Sequence, residues 1–436
     1  MKSNTCFQDF LKYASLNVAG MLGLSCYILA DTFFVSKALG ANGLTALNLA
    51  IPVYSFINGS GLMIGMGGAT KFSIARGQGK DQRVNQIFST AVFLTAVLAG
   101  IFFLIGIFAA GPLIRLLGAD DTIYGMGKTY LQVLLLFAPL FMTNNLLLCF
   151  IRNDKAPQLA MAAMITGSLS NVVLDYLFMF PLGMGIFGAA FATGLAPVIS
   201  ISILSPFLLK KRNHFHLQKC RIVLQEIWGI LSCGIPSLIT EVSSGIVIII
   251  FNILILGLAG NIGVAAYGVV ANISLVVIAV YTGIAQGIQP ILSSNYGAGK
   301  KQNLHAIFCY AAGAVLLLSA GIYLCIFFGA DPITAVFNSE HSAALQSIAA
   351  QGLKIYFTGC VFAGMNIVLS VYFTSTDHPK PAHLISILRG FAVMIPMAFL
   401  LSAIGGIIGV WAAFPAAEAL VCCISMALFL KSRSSI

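Results

Sequence analysis

The stretch Asn85–Ala110, NQIFSTAVFLTAVLAGIFFLIGIFAA, runs for 26 residues without one charged side chain. As a helix it would rise about 39 Å, more than the roughly 30 Å hydrocarbon core of a bilayer. Similar runs fill most of the 436-residue chain, which is 59% hydrophobic and only 8% charged. Soluble domains carry about 45–50% apolar and about 25% charged residues. Lipid is therefore the solvent of this chain. No segment between the runs is long enough to fold in water, which excludes a catalytic domain projecting from the membrane.

Breaking the chain at polar, charged and Gly/Pro-rich punctuation predicts twelve spans: 11–38, 44–72, 85–110, 124–150, 157–180, 185–209, 226–257, 263–293, 304–329, 347–374, 383–403 and 407–430. The fold expected is all-α, a polytopic membrane protein of twelve transmembrane helices in two six-helix lobes related by pseudo-two-fold symmetry. Residues 1–209 form the N-terminal lobe, 210–225 a basic cytoplasmic linker and 226–436 the C-terminal lobe. The first apolar run lacks a small-residue cleavage site and stays as a helix.

An even span count puts both termini on one side. With that side cytoplasmic, 19 of the 23 basic residues face inward, and only Lys37, Arg115, Lys128 and Lys354 face outward. This is the asymmetry of the positive-inside rule. The net charge of +10 thus reads as topology, and no nucleic-acid partner is expected. The run from Lys210 to Arg221 reads as a topogenic loop rather than a lipid-headgroup site. The ten cysteines, Cys220 among them, lack CxxC spacing and read as small buried hydrophobes.

Three separated matches at nearly one offset reveal a duplication. Gly77-Gln-Gly-Lys80 returns as Gly297-Ala-Gly-Lys300, and Gly40, Gly43 and Ala46 return as Gly260, Gly263 and Ala266, both shifted by 220. The start of span 6, Gly185-Ile-Phe-Gly188, returns as Gly406-Ile-Ile-Gly409, shifted by 221. Six spans per half give the halves one orientation, the parallel-repeat arrangement of secondary transporters, with the binding cavity expected between the lobes.

Ionisable groups inside a bilayer are functional candidates by default. Four acids qualify: Asp31 in span 1, Asp175 in span 5, Glu241 in span 7 and Glu418 in span 12. Bases are absent from the middles of the spans, Arg389 lying near one edge of span 11. A cavity with acids and no bases favours a cationic substrate or coupling ion. Asn171 and Asp175 are four residues apart and share a helix face. With Asp31, Thr193 and Tyr130 they lie about 8–12 Å below the outer surface, so one polar cluster is geometrically allowed. Two carboxylates in a desolvated site cannot both stay ionised cheaply, which suits a proton carrier; alternatively, their oxygens and those of Asn171 and Thr193 would hold Na⁺. Glu241 and Glu418, assigned to the second lobe, would line the cavity or pair structurally. Shifted by the repeat, Asp31 maps to Phe251, Asp175 to Pro396 and Thr193 to Phe414, so the chemistry is asymmetric on a duplicated scaffold.

These residues resemble the multidrug and toxic compound extrusion (MATE) family of cation antiporters, prokaryotic type, over essentially the whole chain. The likeness rests on Asp31-Thr-Phe-Phe-Val35 with Ala38-Leu-Gly40 and Asn48-Leu-Ala-Ile-Pro52, on Asn171-x-x-x-Asp175, on Gly188-Ala-Ala-x-Ala-Thr193 and on Gly297-Ala-Gly-Lys300. It implies a monomeric antiporter of the cell membrane that exchanges H⁺ or Na⁺ for lipophilic, often cationic small molecules, with no other cofactor. It further implies a coupling site at Asp31, Asn171, Asp175 and Thr193, with a backbone carbonyl near Ala189 and a tyrosine at Tyr130. Asn145 is a weaker carry-over, and Glu241 matches an acidic position in the seventh span that other branches of the family use.

Three departures stand out. Leu16 occupies the place of a span-1 proline, so Gly20 or Gly23 would have to supply flexibility; Ser36 replaces a glycine; and span 10 carries Asn366 instead of a carboxylate. Among rivals, a lipid-linked saccharide flippase of related fold would need cavity Arg or Lys. A primary pump would need a phosphate loop that Gly297-Ala-Gly-Lys300-Lys301 does not complete. An intramembrane hydrolase would need paired residues within spans, yet His214, His216, His305, His341, His378 and His383 all fall in loops or at span edges.

Overall fold

The computed structural model describes residues 3–219, 223–338 and 342–433. Cys220, Arg221 and His341, named above, lie outside the described residues. Among those described there is no strand. The helices are α1 (Ser3–Gly77), α2 (Asp81–Phe108), α3 (Ala110–Leu116), α4 (Asp121–Leu136), α5 (Ala138–Asn153), α6 (Pro157–Met179), α7 (Gly185–Leu209), α8 (Leu224–Gly297), α9 (Lys301–Phe337), α10 (Ala343–Tyr356), α11 (Cys360–Ser375), α12 (Pro379–Ile387) and α13 (Met394–Arg433).

Three of these helices are each two spans joined at one glycine. Gly40 (φ 64°, ψ −154°) breaks α1, Gly260 (φ 60°, ψ −157°) breaks α8 and Gly406 (φ 55°, ψ −135°) breaks α13. Such backbone is open essentially to glycine alone. Splitting there, and counting α4 with α5, α10 with α11 and α12 with α13's first part, the described residues make twelve crossings. The duplication is written in the backbone too: Gly40 pairs with Gly260 and Gly79 (φ 72°) with Gly299 (φ 70°), each 220 residues apart, and Gly185 (φ 58°) pairs with Gly406.

The fourth span was expected to be continuous but is bent by 46° between α4 and α5. Pro139, in the first turn of α5, cannot donate to the preceding turn, so the bend falls there. Span 1 departs from expectation in the opposite sense. It stays helical from Ser3 to the break at Gly40, and Gly20 and Gly23 serve instead as contact surface for Met164 and Ile165 of α6.

The chain forms two compact units. One comprises Ala19–Val242 with Ser293–Gly299; the other comprises the chain up to Val18, Ser243–Leu292 and Lys300 onward. The first unit has a core of aromatic rings, in which Phe88 and Phe215 approach to 4.5 Å and Phe150 packs beside both. The second is built around the buried Trp411, over which Gly352 leaves no room for a side chain. Not all cysteines are buried: Cys26, Cys309, Cys325 and Cys423 are exposed on spans, and the described cysteines are all free.

Candidate functional site

Asp31 stands on the first half of α1, which the Gly20 and Gly23 contacts hold against α6. Gly167 of α6 faces the Ala196 carbonyl and Ser200 of α7, so these helices also approach closely. This packing brings together the residues expected from the sequence. Asn171 donates to Asp175 Oδ2 (3.0 Å) and accepts from the Thr193 backbone N–H (3.2 Å). The Thr193 hydroxyl donates to the Ala189 carbonyl (3.0 Å). Tyr130 lies within hydrogen-bond reach of Thr193 and close enough to Asp31 and Asp175 to feel their charge.

Asn171 and Asp175 are fully buried, and Asp31 is 8% exposed. Asp31 Oδ1 and Asp175 Oδ1 have no hydrogen-bond partner, and no ion pair among the described residues reaches either carboxylate. A buried anionic oxygen without a donor is strongly disfavoured. The pair is chemically an acceptor for a proton or a small hard cation.

Two residues of this cluster escaped the sequence reading. Tyr27, one turn before Asp31, shares a 2.9 Å hydrogen bond with Tyr54 of α1's second half. Tyr54 senses the charges of both Asp31 and Glu241. The helical i, i+4 spacing from Asp31 pointed to Tyr27; nothing local pointed to Tyr54.

Glu241, grouped above with Glu418, instead sits in the compact unit that holds Asp31. Gly67 and Gly234 bring their two helices into backbone contact, and Gly59 packs on Leu238 and Glu241. Glu241 Oε2 then accepts from Asn58 (3.2 Å), and Asn58 Oδ1 accepts from Asn145 (2.8 Å). Asn145 and Glu241 thus converge on Asn58, which spacing did not single out.

Glu418 belongs to the other unit and is fully engaged. Arg389 grips it through Nε (3.0 Å) and Nη2 (2.9 Å), while Asn366 donates to Oε2 (2.8 Å) and is fixed by Ser425 (3.0 Å). Arg389 sits in the π-helical turn 388–392. Arg152, in the last turn of α5, is also buried, its guanidinium against Met66 and Cys149.

A family model described as MatE matches residues 18–177 and 236–400. The chain belongs to the MatE family. It is a membrane transporter, as MatE proteins are. It is 22% identical to the multidrug export protein MepA of Staphylococcus saprophyticus over 414 residues, 94% of this chain and 90% of that one. It is 24% identical to the FAD transporter of Shewanella oneidensis over 414 residues, 92% of this chain and 89% of that protein. Its fold matches the crystal structure of the Vibrio cholerae MATE transporter VcmN with a TM-score of 0.92 at 20% identity, covering 100% and 98% of the two chains. Within this MatE fold, two repeat equivalents of the polar cluster are stacked rings: Phe251, for Asp31, on Tyr267 (5.5 Å), and Phe414, for Thr193, on Tyr356 (4.2 Å), while Pro396 stands for Asp175.

Proposed function

We propose that this MatE protein is an efflux antiporter of the cell membrane that exports lipophilic, often cationic compounds in exchange for H⁺ or Na⁺. The observation that carries the reading is the pair of buried carboxylates, Asp31 and Asp175, each with one oxygen lacking a donor. Asn171, Thr193, Tyr130 and the Ala189 carbonyl supply further oxygens beside them. A proton would sit on one carboxylate and satisfy it; Na⁺ would be held by the carboxylate, amide and hydroxyl oxygens together.

Exchange requires that coupling ion and drug disfavour one another's binding, since a ligand drives a conformational equilibrium only through its differential affinity for the two states. In this reading, drug binds from the cytoplasm or inner leaflet, the two lobes rock to alternate access, and ion uptake at Asp31 and Asp175 accompanies release outside.

Efflux of a fluorescent lipophilic cation from vesicles under separately imposed pH and Na⁺ gradients tests the proposal. Asp31→Asn and Asp175→Asn should each weaken gradient-driven efflux by about 5- to 150-fold, the usual span of a coupling free energy. Unchanged coupled efflux in either variant overturns the site, and efflux driven by ATP without any ion gradient overturns antiport. Including FAD as cargo separates this reading from the activity of the Shewanella relative.

A further inference from the structure

The basic linker is not a free loop. Phe215 is fully buried among Phe72, Phe88 and Phe150, and the His214 backbone N–H donates to Asp154 Oδ2 (2.7 Å). Asp154 also pairs with Arg76. Further on, the His216 and Gln218 N–H groups donate to Asn85 (2.8 Å) and Ser89 (3.0 Å) at the start of α2. The linker is therefore a strap laid across the ends of α2 and α5.

Under the strap opens a cavity of about 770 Å³ between α2, α5 and α7. Val92, Thr95, Gly100 and Leu146 line its apolar body, and Asn213 and His216 close its strap end. Its lining carries no acidic residue. Asn213 is 7% exposed; its amide nitrogen is used on the Phe215 carbonyl, and Oδ1 has no partner. Lys210, Lys211 and Arg212 immediately precede it and are exposed, as is Lys219 beyond.

We propose that this cavity is a phospholipid site, holding an acyl chain between α2, α5 and α7 and an anionic, hydroxyl-bearing headgroup of the phosphatidylglycerol kind at the strap. The charge pattern selects this occupant. A phosphate meets the Lys210–Arg212 cations, as basic pockets beside membrane helices hold anionic headgroups. A headgroup hydroxyl donates to Asn213 Oδ1. A lipophilic cation, by contrast, would find no counter-charge in the lining and a repelling strap.

The test uses the full-length protein in phosphatidylcholine nanodiscs doped with phosphatidylglycerol bearing a photoreactive acyl chain, the labelled peptides being read by mass spectrometry. Label is expected within 88–103 and 139–147, displaced by unlabelled phosphatidylglycerol but not by phosphatidylcholine. Replacing Lys210, Lys211 and Arg212 by Gln should lower the preference by about fivefold per charge at low salt. Gly100→Leu, at a position where a Cβ meets open space, should block labelling without lowering the melting temperature. Equal displacement by both lipids, or protection by tetraphenylphosphonium in place of phosphatidylglycerol, overturns the proposal on the wild-type protein alone, independently of either variant.

Discussion

At the scale of single residues, the two buried acids Asp175 and Glu418 show how surroundings decide role. Asp175 keeps an oxygen without a partner, whereas Glu418 is held by a bidentate guanidinium and an amide. The side chains of Arg389 and Glu418 are 13% and 2% exposed, so losing one partner strands a charge away from water. Arg389→Met should therefore destabilise by about 3–5 kcal/mol, and the double variant Arg389→Met/Glu418→Leu should recover most of that loss. Thermal melting in detergent reads both; a double variant no more stable than the single one contradicts the account. Legibility divides along the same line. Asn171 and Asp175 are readable because one turn of helix links them, and Thr193 because it closes the Gly188–Thr193 segment on which the family resemblance rests. Tyr54, Asn58 and the Arg389–Glu418 pair are not, since their partners lie 27, 183 and 29 residues away and meet only through tertiary packing.

At the scale of elements, single glycines break the long helices and the strap ties the ends of α2 and α5. Span number and most boundaries follow from hydropathy, but hydropathy is blind to a one-residue joint: the gap between spans 11–38 and 44–72 is in the structure a single break at Gly40. Gly40→Ala and Gly260→Ala should each lower stability by about 1–3 kcal/mol, because the backbone there excludes a side chain even though space is open. Gly313→Ala is the control: it is helical, a Cβ meets nothing within 4 Å, and its melting temperature should hold or rise. The packing of the strap is hidden from composition for a related reason. Its one large apolar anchor, Phe215, sits in a polar, basic run whose composition dominates the reading. Phe215→Ala should cost about 3–5 kcal/mol, the usual loss for a truncated buried phenylalanine, while a change of under 1 kcal/mol would mean that the ring cluster does not hold the linker.

At the scale of the whole molecule, duplication and asymmetry coexist. The backbone repeats its positive-φ glycines at offsets of 220 and 221, yet the places of Asp31 and Thr193 in one unit are taken in the other by the stacked rings of Phe251 and Phe414, and that of Asp175 by Pro396. A parallel repeat of six spans requires that both halves begin on the same side of the membrane. In the first unit, Arg76–Asp154, His214–Asp154 and Arg83–Glu226 tie together the connections after spans 2, 4 and 6, so those three share one face. The positive-inside rule predicts which face that is: with these connections and the termini taken as cytoplasmic, 19 of the 23 basic residues fall on that side. Alkaline phosphatase fused after Leu182 should therefore be exported and active, whereas fusions after Lys211 or at the C-terminus should be inactive while green fluorescent protein at the same two points fluoresces. Phosphatase activity at Lys211 together with silence at Leu182 would invert the molecule and place the strap's cations against the outer leaflet.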